Sequence, residues 1–334
     1  MSNNFSEKII SWYLEKGRKD LPWRNNISPY RVWISEIMLQ QTQVKTVIPY
    51  FKKFIERYPD IDSISQASED ELLAIWSGLG FYKRAQNIFK AKEIIKNDFS
   101  NKFPDKFEEI LMLPGIGRST AGAIMAIAYK KSYPILDANV KRVITRYSGI
   151  DEFSKTKLDK ALWLESTRLK ADKKIFEYTQ GVMDLGATVC TAKNMNCKNC
   201  PLNKECESAF KSLNKGLFLP KSKKLKKEKM DYVLAYTLDK ILLIKRDKKR
   251  FWQSLWVPIE KNSGIIIDHS KAESINKINV SHKLSHLELV ISVSLLKFKK
   301  PFDVLSNSEV YWINKIDIDN IGVPKPIKDI LVTL

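Results

Sequence analysis

The chain has 334 residues, 44% of them hydrophobic and 28% charged, with 57 Lys+Arg against 38 Asp+Glu for a net charge of +19. That length is enough for two ordinary cores, and the composition excludes collagen-like, disordered and disulfide-scaffold classes. The surplus of cations favours a polyanionic partner, nucleic acid before acidic membrane. The opening MSNNFSEKII is polar, and no apolar run approaches the ~20 residues of a membrane helix. The expected location is the cytoplasm, where thiols stay reduced, so the four cysteines call for a role other than disulfides.

Residues 5–130 read as successive helices. Ile9, Ile10, Tyr13 and Leu14 recur at helical spacing, and Pro22, Pro29, Pro49 and Pro59 punctuate the chain beyond them. The stretch SPYRVWISEIMLQQTQV puts one carboxylate, Glu36, in an apolar helical run, with Val32, Trp33, Leu39 and Gln40 on its face. A carboxyl so placed has its pKa raised by desolvation and can hold a proton near neutral pH. An outward turn, or pairing with Arg31, is the structural alternative. ASEDELLAIWSGLGFYKRAQNIFKAKEII reads as two helices joined at Gly78-Leu79-Gly80, and LPGIGRSTAGAIMAIAY as a second glycine hairpin.

In that second hairpin Gly115 and Gly117 let the backbone approach a ligand, and the N–H groups opening the next helix can hold a phosphate oxygen without reading sequence. Tyr133 to Leu136 is extended, and Asp137 sits where an N-cap would precede ANVKRVITRY. Further helix runs through KIFEYTQGVMDLGATVC. Cys190, Cys197, Cys200 and Cys206 then form C-x6-C-x2-C-x5-C, four potential thiolate ligands for one metal ion or cluster, with zinc and iron–sulfur both open. Lys193, Lys198 and Lys204 in this loop suit phosphate contact. Residues 221–230 read as a lysine-rich linker. Beyond Asp231, VLAYTL, KILLIK, GIIID, LELVISVSLLKF and VYWI read as strands, with a terminal helix in PKPIKDILVTL.

LPGIGRSTAGAI followed by LDANVKRV resembles the helix–hairpin–helix motif and downstream aspartate of the endonuclease III superfamily of DNA glycosylases. The cysteine spacing is similar to that superfamily's [4Fe-4S] loop. WISEIMLQQTQV, LPWR at residues 21–24, and MDLGATVC narrow the resemblance to MutY-type adenine DNA glycosylases over most of residues 7–210. It implies a mainly α chain: a two-lobed glycosylase domain over residues 1–220 carrying the iron–sulfur loop, the basic linker 221–230, and a smaller α+β Nudix-like domain over 231–334. The Nudix hydrolase box of clustered glutamates is lacking, so no pyrophosphatase activity is expected.

By the same resemblance Glu36 protonates the departing adenine and Asp137 stabilises the cationic sugar, although an N-cap role explains Asp137 equally well. Lyase relatives carry a lysine at the position of Ser119. A serine cannot form an imine, so a monofunctional enzyme that leaves the strand intact is expected. Gln41, Leu79 and Phe81 match residues that fill the gap left by a flipped nucleotide, with Phe81 where the family usually has Tyr. Leu284, Ser285 and His286 resemble a Phe-Ser-His loop that recognises 8-oxoguanine. The implied substrate is double-stranded DNA with A opposite 8-oxoguanine or G, bound by a monomer that passes its abasic product to downstream repair enzymes. An oxidised-pyrimidine glycosylase/lyase and a non-catalytic iron–sulfur DNA-binding protein are the rival readings.

Overall fold

The computed structural model describes residues 2–151, 154–211, 225–247, 251–284, 287–304 and 309–334. These divide into two compact units, one of residues 1–66 with 90–221, the other of 67–89 with 222–334.

The first unit is helical: α1 (Ser2–Lys16), α2 (Pro29–Leu39), α3 (Val44–Arg57) and α4 (Ile61–Ser65), then, past the stretch 67–89, α7 (Phe107–Met112), α8 (Arg118–Ile127), α9 (Ala138–Tyr147), α10 (Lys155–Leu169) and α11 (Ile175–Thr188). The start of α2 is set by Ser28, whose Oγ accepts from Arg31 N at 3.2 Å, and by Pro29 in the first turn. Tyr30, Val32, Trp33, Ile34, Ile37 and Met38 are all buried, so α2 is apolar nearly all round and forms the centre of its unit. It packs on α3 and α8, while α11 packs on α1, α8 and α9. At Gly186 of α11 a Cβ would come within 2.6 Å of the Asn139 Cβ; only glycine lets α11 approach α9 this closely.

The second unit takes α5 (Glu69–Ile75) and the start of α6 (Lys83–Asp98) from the middle of the helical sequence and joins them to a seven-stranded sheet. Its strands are β1 (Lys226–Tyr236), β2 (Lys240–Lys245), β3 (Trp256–Val257), β4 (Ile259–Glu260), β5 (Ser274–Lys283), β6 (Leu287–Lys297) and β7 (Val310–Asn314), followed by α12 (Lys325–Leu331). The order is β3-β2-β1-β6-β5, with β4 on β1 and β7 on β2. β1 and β6 run parallel from Lys226↔Leu287 to Tyr236↔Lys297; the other pairs are antiparallel. Val233, Ala235, Leu242, Ile259, Leu296 and Phe298 belong to the core on one side of this sheet.

Three sequence expectations change here. β1 begins at Lys226, inside the stretch read as linker, because pairing with β6 satisfies its backbone while the lysines point outward. GIIID forms no strand; Ile267 is buried as a core anchor on irregular backbone. Conversely SINKINVSHK is strand β5, which its polar composition hides because β5 pairs with β6 alone among the described residues and is largely exposed. No helix of the described residues is long and apolar enough to cross a membrane.

Candidate active site

Within the helical unit, α2, the turn Pro22–Arg24, the start of α9 and α11 line a cavity of about 140 Å³. This is below the ~300–1,000 Å³ of drug-sized ligand sites, and suits one planar ring system. Glu36, Asp137, Trp23, Arg24, Asn139 and Gln180 are among its walls. The two carboxylates singled out in the sequence, 101 positions apart (137 − 36), thus share one chamber.

Burial pushes the Glu36 carboxyl up to about 7, the neighbouring Asp137 charge adds to the rise, and Arg24 opposes it. Asp137 is also raised by burial, but its anion has partners. Its Oδ1 accepts from Val140 N at 2.8 Å as the N-cap of α9, and its Oδ2 accepts from Asn139 Nδ2 at 3.1 Å. Hydrogen bonds to a carboxylate favour its ionised form, so of the two Asp137 is the better placed to carry the charge and Glu36 the proton. The N-cap and cavity-facing roles of Asp137 coexist.

The walls also contain a buried ion cluster that the sequence reading passed over. Asp184 of α11 is fully buried and accepts from Arg24 at 2.7 and 2.9 Å and from Arg18 N and Nε, each at 2.9 Å. An aspartate on the apolar face of a helix is the same signal that exposes Glu36, and it was available in MDLGATVC. From Asp137 a second chain of bonds leads away. Asn139 Oδ1 accepts from Arg142 at 2.9 Å, and Arg142 Nε donates to Cys190 O at 2.6 Å.

Cys190, Cys197, Cys200 and Cys206 ring a separate cavity of about 30 Å³. Arg146, almost wholly buried, donates to Cys190 Sγ at 3.3 Å. Burial, and to a lesser degree the other thiols, push Cys200 up to about 12. Among the described residues no three His, Cys, Asp or Glu side chains converge tightly enough for a single metal ion. Four thiols around one void, with a guanidinium against one sulfur, form a donor set that suits an anionic group held by thiolates.

The remaining candidates fall in several places. Ser119 is not among the described residues lining the cavity; its Oγ accepts from Leu136 N at 2.9 Å and so holds the backbone that leads into Asp137. Gly115 takes φ +83°, and a Cβ at Gly117 would meet nothing within 4 Å. Gly117 at the N-cap of α8 makes no side-chain cap, which among the described residues leaves the first N–H groups of α8 open. Gln40 Nε2 donates to Gly115 O at 3.3 Å, bringing the turn after α2 to this hairpin, and Gln41 in that turn is exposed with φ +57°. In the other unit Leu79, read with Phe81 as a wedge, is buried, whereas Phe81 is 42% exposed with φ +49°. Leu284 is half-buried and its N–H donates to Leu287 O at 2.8 Å at the end of the β5–β6 hairpin; Ser285 and His286 lie outside the described residues.

Helical scaffold, glycine hairpin and paired carboxylates define a helix–hairpin–helix DNA glycosylase. The model of the HhH-GPD superfamily base excision DNA repair proteins matches residues 34–166. An adenine DNA glycosylase of Buchnera aphidicola subsp. Schizaphis graminum is 41% identical over 98% of this chain and 97% of its own. The human adenine DNA glycosylase is 35% identical over 61% of this chain and 39% of its own. Among solved structures, a thermostable thymine-DNA glycosylase superposes with TM-score 0.55 at 29% identity, covering 61% of this chain and 94% of that one. An endonuclease III–DNA complex, at TM-score 0.52 and 19% identity over 61% of this chain and 92% of that one, shares the fold. The chain belongs to the adenine DNA glycosylase family of base excision repair.

Proposed function

We propose that this glycosylase hydrolyses the N-glycosidic bond of adenine opposite 8-oxoguanine or guanine and leaves the DNA strand uncut. The observation that carries the reading is the pairing of Glu36, its carboxyl raised to about 7, with Asp137 in one base-sized cavity. The adenine must be rotated out of the duplex to reach it, at a cost of a few kcal/mol. Gln41 and Phe81 fill the space it leaves, and Leu284, Ser285 and His286 of the Nudix-like domain contact 8-oxoguanine. Gly115, Gly117 and the open start of α8 grip a phosphate.

Glu36 then delivers its proton to the base, so that adenine departs neutral; such general acid catalysis contributes about 10²–10⁴-fold. Asp137 stays ionised, steadied by Val140 N and Asn139, and its charge opposes the cation developing on the sugar. Water adds to that cation, and the Glu36 carboxylate left by the first step accepts the water's proton, restoring the acid. No lysine is among the described residues lining the cavity, and the Ser119 hydroxyl has no amine to form an imine, which supports hydrolysis without strand cleavage.

Cys190, Cys197, Cys200 and Cys206 would hold a [4Fe-4S] cluster, which when bound would cross-link the loop as a structural clamp. Arg146 would offset its negative charge at Cys190, and Lys193, Lys198 and Lys204 would face phosphates. We place the enzyme in the cytoplasm as a monomer that hands its abasic product to enzymes of abasic-site repair.

Single-turnover reactions on duplexes with A opposite 8-oxoguanine, G, C or T, analysed on gels with and without alkali, test this. Excision from the first two that yields breaks only after alkali is expected. Breaks without alkali, a borohydride-trapped adduct, or preference for A opposite C or T would refute it.

A further inference from the structure

The stretch 67–89 lies in the middle of the helical glycosylase sequence, yet it forms one compact unit with the C-terminal sheet. The attachment is polar and specific. Asp70 on α5 accepts from the Trp256 indole Nε1 at 3.1 Å on one oxygen and pairs with Lys245 Nζ at 3.1 Å on the other. Trp256 is buried, and its backbone N donates to Gly322 O at 2.8 Å. Ser77 Oγ donates to Val323 O at 2.8 Å, and Gln86 Nε2 to Gln253 O at 2.8 Å. Gly322 lies so close against Leu73 that a side chain there would collide with it.

Between these anchor points runs the loop that exposes Phe81. Gly78, Gly80 and Phe81 all take left-handed backbone, with φ +97°, +78° and +49°. For Phe81 that conformation is unfavourable and persists only where its surroundings over-determine it. Inside the loop, Gly80 O accepts from Trp76 Nε1 at 3.1 Å and from Arg84 at 3.0 Å, and the Arg84 guanidinium lies 5.4 Å from both the Trp76 and Phe81 rings. These bonds fix the loop's shape. Where it points is set by its two flanks, and both flanks are tied to the C-terminal residues.

We propose that the sheet unit holds the Phe81 loop in register for duplex opening, with Trp256 and Lys245 acting through Asp70, and Val323 through Ser77, as positioning residues. This rests on the proposed entry of Phe81 into the duplex. It gives the C-terminal residues a part in opening the duplex at the adenine as well as in contacting the opposite base. None of these positioning groups is among the described residues that line the cavity of Glu36 and Asp137.

The test is a double-mutant cycle on the full chain, with opening followed by the fluorescence of 2-aminopurine placed beside the adenine opposite 8-oxoguanine. Phe81→Ala and Asp70→Ala should each slow opening on the order of tenfold, the scale of one lost charge-assisted hydrogen bond. The double variant should be no slower than Phe81→Ala alone, because a displaced loop without its ring has nothing left to misplace. A merely structural defect would instead multiply with Phe81→Ala. Ser77→Ala, an uncharged change, is scored by the same criteria should Asp70→Ala lower the melting point below the assay temperature. If Phe81→Ala slows opening while Asp70→Ala and Ser77→Ala do not, or if the effects multiply, the inference falls and the role of Phe81 stands. If Phe81→Ala itself leaves opening unchanged, it is the reading of the loop that fails.

Discussion

Replacing Glu36 by Gln should make the protein inactive and, above neutral pH, more stable. The carboxyl has an ordinary pKa of 4.5 when the chain is unfolded and about 7 in the cavity. Below about pH 4.5 both states are protonated and Glu36 carries no penalty. As pH rises the unfolded chain ionises first, so folded stability is lost progressively up to about pH 7 and the full penalty persists above it. A shift of about 2.5 units at 1.36 kcal/mol per unit sets an upper figure of ~3 kcal/mol, and partial solvent access of the side chain reduces it to ~1–3 kcal/mol. Gln keeps the shape without the charge. At pH 8 the variant should therefore melt ~2–12 °C above the parent, at ~2–4 °C per kcal/mol for a unit of this size. At pH 5 the difference should shrink to about a quarter of that. Parallel thermal melts from pH 5 to 9 supply the comparison. In the parent enzyme, single-turnover excision should fall about tenfold per pH unit above about 7, as the proton is lost. A melting difference that does not change with pH, or a variant less stable than the parent at pH 8, would refute a desolvated Glu36.

Asp137→Asn separates capping from chemistry: Asn caps helices as well as Asp, so folding stability should hold within about 1 kcal/mol while excision drops at least ~10²-fold. A fall in melting temperature matching the fall in rate would assign Asp137 a structural role alone. Asp184→Ala leaves the Arg18 and Arg24 charges without their shared carboxylate, and should cost ~3–5 kcal/mol in urea unfolding, against under ~1 kcal/mol for an exposed pair such as Lys325–Asp329. Cys200→Ser should lower iron content and visible absorbance together and weaken DNA binding; stoichiometric zinc without iron in the parent protein would overturn the cluster assignment.

Much of the site was legible because its chemistry sits in short motifs. A carboxylate among apolar residues reports its own desolvation, so Glu36 could be read from α2 alone. From its own stretch Asp137 reads as an N-cap; its second role came from the family resemblance alone, since the geometry behind it needs α2 beside it. Ser119 shows the limit of motif reading. Its identity speaks to the chemistry, while its hydroxyl is occupied with Leu136 N. Leu79 and Phe81 are near neighbours in one glycine-rich loop, and nothing local announces that one turns inward and the other out. The polar strand β5 was missed for a related reason, because an edge strand needs little apolar surface when its neighbour supplies the ladder.

By itself the sequence determined the family, the helical character of the first two-thirds, the strand-rich remainder and the residue types at each motif. These depend on local periodicity and on side-chain chemistry, which are properties of neighbouring positions. Only the tertiary structure decided that Glu36 and Asp137 share one cavity, that Asp184 gathers two arginines, and that residues 67–89 belong with the C-terminal sheet. Each of those facts is a meeting of distant segments. Such meetings are settled by which faces exclude water together and which buried charges find partners, and neither is written in any single stretch of the chain.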